Sequence, residues 1–125
     1  MRPETVPWWR QAEADLDSAE LMFSEAVYYA ASWFAHQATE KALKALYIEQ
    51  HGRPANRVHD LNFLGRSVSV DPSLSGDLAL LDSAFMLTRY PDASNRAPVD
   101  TATLGSGTRD MEAARRVVQW VQSRL

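Results

Sequence analysis

The stretch from Trp33 to Leu61, WFAHQATEKALKALYIEQHGRPANRVHDL, restricts the fold more than any other part of the chain. Small or apolar residues fall at Ala31, Phe34, Ala35, Ala38, Ala42, Ala45 and Leu46, steps that keep one helix face buried. Most of them are alanine, so neighbouring helices can approach closely. The pattern therefore predicts a central helix touched on several sides. Glu40, Lys41, Lys44 and Glu49 are assigned to its outer face. Glu40 stands four residues before Lys44, the favourable order for an ion pair worth a few tenths of a kcal/mol. Gly52 supplies a left-handed C-cap, and Pro54 cannot continue the helix.

Before this helix, Trp8, Ala12, Leu16, Ala19, Phe23 and Ala26 step by fours and threes along a first amphipathic helix. Thr5 is its expected cap, and Pro7 is tolerated in the first turn. Glu13, Asp15, Asp17 and Glu20 fall mostly off the apolar stripe. The break between the two helices is placed near residues 26–29, although no glycine or proline marks it. Trp8 and Trp9 are adjacent, so one helix face cannot bury both; one of them is expected against the last helix or a second subunit.

After the basic turn Arg53–Val58, His59 or Asp60 opens a short helix that Asp71-Pro72-Ser73 breaks. Ser73 or Ser75 caps the next, which carries Leu74, Leu78, Leu81 and Phe85 and stops near Thr88-Arg89, ahead of Pro91. Residues 91–107 read as one long irregular loop, expected to order on ligand or partner binding. Ser106 or Thr108 caps the last helix, with Met111, Ala114, Val117, Val118, Val121 and Leu125 on one face. The fold class is all-α: one domain over residues 1–125, an up-and-down four-helix bundle with an additional short helix.

Composition narrows the function. The net charge of −3 argues against generic electrostatic attraction to nucleic acid. Cysteine is absent, so there are neither disulfides nor thiolate metal sites. No apolar run reaches the roughly 18 residues of a membrane span, and the N-terminus lacks a signal-peptide apolar segment. A cytoplasmic protein without membrane contact, metal or cofactor is the expectation.

The sequence holds no phosphate-binding glycine loop and no His-Glu-x-x-His. His36, one step off the Phe34–Ala38 face, reads as a helix-surface or boundary residue. His51 suits a helix C-terminus, where a cation complements the dipole. His59-Asp60 divides evenly between helix capping and a functional role. Arg89, at the end of an apolar helix, can cap carbonyls or grip a phosphate with its forked donors. Arg96 and Arg109 flank the same loop, and with Arg53, Arg57 and Lys41 they can form a local basic patch if the fold brings them together.

Trp9 with Ala14-Asp15-Leu16 and Ala19, Phe34, the Gln37–Ala45 block QATEKALKA, His59-Asp60-Leu61 and Arg89-Tyr90-Pro91 together resemble the HEPN (higher eukaryotes and prokaryotes nucleotide-binding) family over nearly the whole chain. The resemblance implies a helical bundle, often a homodimer. Its stand-alone prokaryotic members are commonly paired with a minimal nucleotidyltransferase as toxin and antitoxin. Many members are metal-independent endoribonucleases that use an arginine and, four to six residues on, a histidine. Here Asn95 stands at the spaced position after Arg89 and no histidine follows; Arg53 and His59 have five residues between them but lie where the family's His-Asp-Leu block sits. The reading is thus a nucleotide-binding module and nucleotidyltransferase partner, with Arg89, Arg53, Arg57, Tyr90, Asp60 and Lys41 as phosphate- or nucleotide-binding candidates. An endoribonuclease with His59 as catalytic candidate is the alternative, and a structural homodimer without ligand is the second.

Overall fold

The computed structural model describes residues 1–55, 59–89 and 95–125, with only the backbone of Arg89. Arg57 and Tyr90 lie outside the described residues. Helices α1 (Thr5–Ser24), α2 (Tyr28–His51), α4 (Ser75–Arg89) and α6 (Leu104–Arg124) form an up-and-down bundle. The short helices α3 (Leu61–Ser67) and α5 (Pro98–Thr101) lie in its connections, and a 3-10 turn, Pro72–Leu74, leads into α4. Among the described residues there is no strand. Nor is any helix there long and apolar enough to cross a membrane.

Helix α2 packs against α1, α3, α4, α5 and α6. Ala31, Ala35, Ala38, Ala42 and Ala45 are all buried at these contacts, as their small size requires. Because α2 is surrounded, its buried arc is wider than one stripe. Glu40 and Lys44, expected on the outer face, are both buried. They do form the expected pair, Lys44 Nζ to Glu40 Oε2 at 3.1 Å, but inside the protein. The buried face of α1 is also rotated from expectation: it presents Thr5, Trp9, Ala12, Asp15 and Ala19 inward, while Trp8 is half-buried. Asp15 faces inward because Lys41 meets it at 2.6 Å. Thr5 does not cap α1; its hydroxyl donates to Glu49 Oε2 at 2.8 Å and ties the start of α1 to the end of α2.

The α1–α2 break falls where expected, with Ala26 in the left-handed region at φ 60°. Gly52 ends α2 at φ 68°. Residues 98–107 depart from the irregular loop expected there. Pro98 starts α5, where its fixed φ and missing N–H suit a first turn. Thr103, not Ser106 or Thr108, caps α6: its Oγ1 accepts from the Ser106 amide at 3.1 Å, and the Ser106 hydroxyl accepts from the Thr103 amide at 2.9 Å.

Candidate functional site

His36, Glu40 and Lys44 are spaced by fours along α2 and form one buried polar stripe on it. His36 is fully buried, not at the surface or boundary. Its Nε2 lies 3.3 Å from Asp82 Oδ1 of α4, and its ring tilts against Phe85 with centroids 4.6 Å apart. Asp82 in turn accepts from the Leu61 amide at 3.1 and 3.0 Å and from the Asn62 amide at 3.4 Å. It thereby caps α3 from a neighbouring helix. Asp60 caps the same helix from its own chain end, accepting from the Phe63 amide at 3.1 Å. Burial by itself pushes the Asp82 carboxyl up, but the His36 and Leu61 hydrogen bonds outweigh it and hold the group below the usual carboxylate range. With both carboxylates on its first turn, α3 leaves no free amides there for an anion.

These two caps fix the corner that carries His59. Its Nδ1 lies 3.0 Å from Glu40 Oε1, and its ring runs nearly parallel to Phe85, at 21° and 6.4 Å. The side chain is still 65% exposed. With Nδ1 held, Nε2 is the nitrogen left for a ligand or a proton. Glu40 therefore serves two cations or donors at once, Lys44 from within and His59 from the surface. Lys44 Nζ also sits over the Trp8 ring, 5.7 Å from its centroid.

Arg89 is the last residue of α4, four after Phe85 and seven after Asp82 in the chain. The other candidates do not gather here. Lys41 is turned toward α1, bonded to Asp15 at 2.6 Å and to Gln37 at 3.1 Å. Arg53 is exposed beyond the end of α2, whose last residue, His51, is about 15 Å along the helix from Lys41 by rise per residue, and it donates to the Tyr47 hydroxyl at 3.3 Å. His51 reaches the carbonyl of Ser67 at 3.4 Å, not the last carbonyls of its own helix. The five-residue spacing of Arg53 and His59 thus joins residues with separate partners.

A second feature lies on the other side of α4. A cavity of about 190 Å³ is lined by Ser32, Ser83, Ala84, Leu87, Arg109 and Asp110, among others. Asp110, in the second turn of α6, is buried; its Oδ2 accepts from the Ser32 hydroxyl at 2.7 Å, while Oδ1 has no partner among the described residues. Burial pushes this carboxyl up, more than the Ser32 hydrogen bond and the Arg109 charge pull it down. Among the described residues, no group of three or more His, Asp or Glu is arranged to hold a metal ion.

Sequence reasoning missed His36, Asp82 and Asp110. For His36 a signal was present, since a polar residue in a helix touched on several sides has little surface to reach. For Asp82 and Asp110 none was, because their partners lie 46 and 78 residues away in the chain.

The HEPN domain model matches residues 5–124. The chain belongs to the HEPN family. Two solved structures agree with it over almost their whole length. TT1696 from Thermus thermophilus has 26% identity and a TM-score of 0.90, covering 99% of this chain and 100% of that one. ST0689, described as an archaeal HEPN homologue, has 28% identity and a TM-score of 0.80, covering 99% and 98%. No curated protein matches this HEPN chain.

Proposed function

We propose that this HEPN chain binds a nucleotide through its phosphate, at the corner formed by His59, Asp60 and the end of α4, and acts as a homodimer with a minimal nucleotidyltransferase in a toxin–antitoxin pair. The observation that carries the reading is the presentation of His59. An exposed imidazole anchored by Glu40 and set against Phe85 stands near the helix end that Arg89 closes. A guanidinium and an imidazole held in place are a suitable pair for a phosphate. The test is calorimetric titration with nucleoside mono- and triphosphates at low salt. Arg89→Ala and His59→Ala are each expected to weaken binding about tenfold or more, and Lys41→Ala, whose cation is already paired, to change it little. No affinity at low salt would sink the reading and leave a structural module.

Metal-independent RNA cleavage is the second reading, favoured by one detail. A histidine fixed through Nδ1 and open at Nε2 has the posture of a general acid or base. Incubation with mixed RNA in chelator, beside His59→Ala, decides it: cleavage lost in the variant makes the chain a ribonuclease.

A further inference from the structure

We propose that phosphate binding at the His59 corner is proton-linked: the pair formed by His59 Nε2 and the phosphate holds a proton that the free corner lacks, and Glu40 is the positioning residue that imposes this. Resting on the phosphate reading, the proposal names what regulates that same site, the pH. Lys44 settles the role of Glu40. An ammonium has hydrogens to give and no lone pair, so Glu40 Oε2, 3.1 Å from Lys44 Nζ, can only accept. Both side chains of this pair are buried, so the carboxylate depends on its protein partners. Its other oxygen, Oε1, stands 3.0 Å from His59 Nδ1. A carboxylate that accepts there fixes the tautomer: in the neutral imidazole the hydrogen lies on Nδ1 and the lone pair on Nε2.

The His59 side chain is 65% exposed, and its hydrogen bond among the described residues is made through Nδ1. A ligand therefore meets Nε2 as an acceptor. A phosphate oxygen carries lone pairs and negative charge of its own, and a bare Nε2 repels it. An Nε2–H attracts it, and a cationic ring does so more strongly. The missing proton comes from solvent and forms one new bond, N–H on the ring or O–H on the phosphate oxygen that meets it. Either way the complex holds one proton more than the separate protein and phosphate dianion. The other titratable groups near this corner are already engaged. Asp60 accepts from the Phe63 amide, and Asp82 from the Leu61 and Asn62 amides beside its contact with His36. The His36 ring shares Phe85 with His59, but it is fully buried and its Nε2 is turned to Asp82. Lys44 is held by Glu40.

The experiment is calorimetric titration of the intact protein with AMP at pH 7.5, in two buffers of different ionisation enthalpy; the difference in heat counts protons. Expected is a net uptake of about half a proton per AMP, with affinity falling about fivefold or more from pH 6 to pH 8. His59→Gln keeps a neutral donor and is expected to bring the uptake to near zero. Glu40→Gln is expected to do the same, because an amide at that position can donate to Nδ1 and so lets the neutral ring carry its hydrogen on Nε2. His51→Ala, at the other exposed histidine, is expected to leave the uptake unchanged. Should Glu40→Gln fold poorly, long-range proton–nitrogen NMR of the unsubstituted protein at pH 8 reads the tautomer directly, with His59→Gln to assign the ring; hydrogen on Nδ1 is expected. AMP bound with no net uptake and an affinity independent of pH overturns the proposal and leaves the phosphate reading intact, as does hydrogen on Nε2 in the free protein. Uptake that persists in His59→Gln places the proton elsewhere and overturns it too. No affinity for AMP at low salt overturns both.

Discussion

Asp82 and Asp110 respond to burial in opposite directions, and each leaves a mark on stability. The Asp82 carboxyl is held below its ordinary value by the His36 and Leu61 hydrogen bonds, which override its partial burial. Its contribution is therefore fully present above the unfolded value of about 3.9 and is lost as pH falls through the lower folded value. Asp110 is raised, so its contribution is present below about 3.9 and is lost as pH rises through the folded value. Urea midpoints measured against pH are expected to lose their acid limb in Asp82→Asn. In Asp110→Asn they are expected to lose the decline above pH ~4 instead. Asp82→Ala also strands the Leu61 and Asn62 amides; for a half-buried group this costs about 2 kcal/mol in chemical denaturation. None of this was readable from residue types alone. His59 and Asp60 stood out because they are adjacent, whereas Glu40 and Asp82, which position them, are identified only once α2 and α4 are packed.

Helix boundaries were legible where the chain places a special residue and obscure where it does not. Gly52 ended α2 as expected, since only a residue tolerant of φ near 68° closes the helix that way. The α1–α2 turn uses Ala26 at φ 60°, a conformation its side chain disfavours, so nothing in the sequence announced it. Ala26→Gly is expected to raise stability or leave it unchanged, within about 1 kcal/mol, because relief of that strain offsets the added chain entropy. The start of α6 was misplaced for a related reason. Gly105 and Gly107 look like breakers, and the capping partner of Thr103 is Ser106 where glutamate or glutamine is usual. Thr103→Ala should cost about 1 kcal/mol in urea denaturation. Gly65, in α3, is set by close approach and not by φ: an added Cβ would stand 2.5 Å from Leu78 Cδ1, so Gly65→Ala should loosen the α3–α4 contact that carries the His59 corner.

Among the described residues, four of the basic side chains stand in ion pairs with carboxylates. Arg115 meets Glu20 at 2.6 Å and Arg116 meets Asp77 at 2.9 Å on the surface, while Lys41 and Lys44 are paired further in. The basic patch that the sequence left open therefore does not assemble from Lys41 and Arg53. The bundle itself was legible because its apolar periodicity is strong and its core single. The buried polar stripe of α2 was not, because Glu40 and Lys44 look like any exposed i,i+4 pair. Salt separates the two kinds of pair. About 1 M NaCl should lower stability by less than about 1 kcal/mol, since only the exposed pairs are screened. Lys44→Met, which leaves Glu40 buried with His59 as its remaining partner among the described residues, should cost about 3 kcal/mol. The shared carboxylate has one further consequence. A ligand that draws His59 off Glu40 changes the charge balance around Lys44, and with it the field at the Trp8 indole. In a background where Trp9, Trp33 and Trp120 are replaced by phenylalanine, occupancy at the surface would be heard as a change in fluorescence from the seam between α1 and α2.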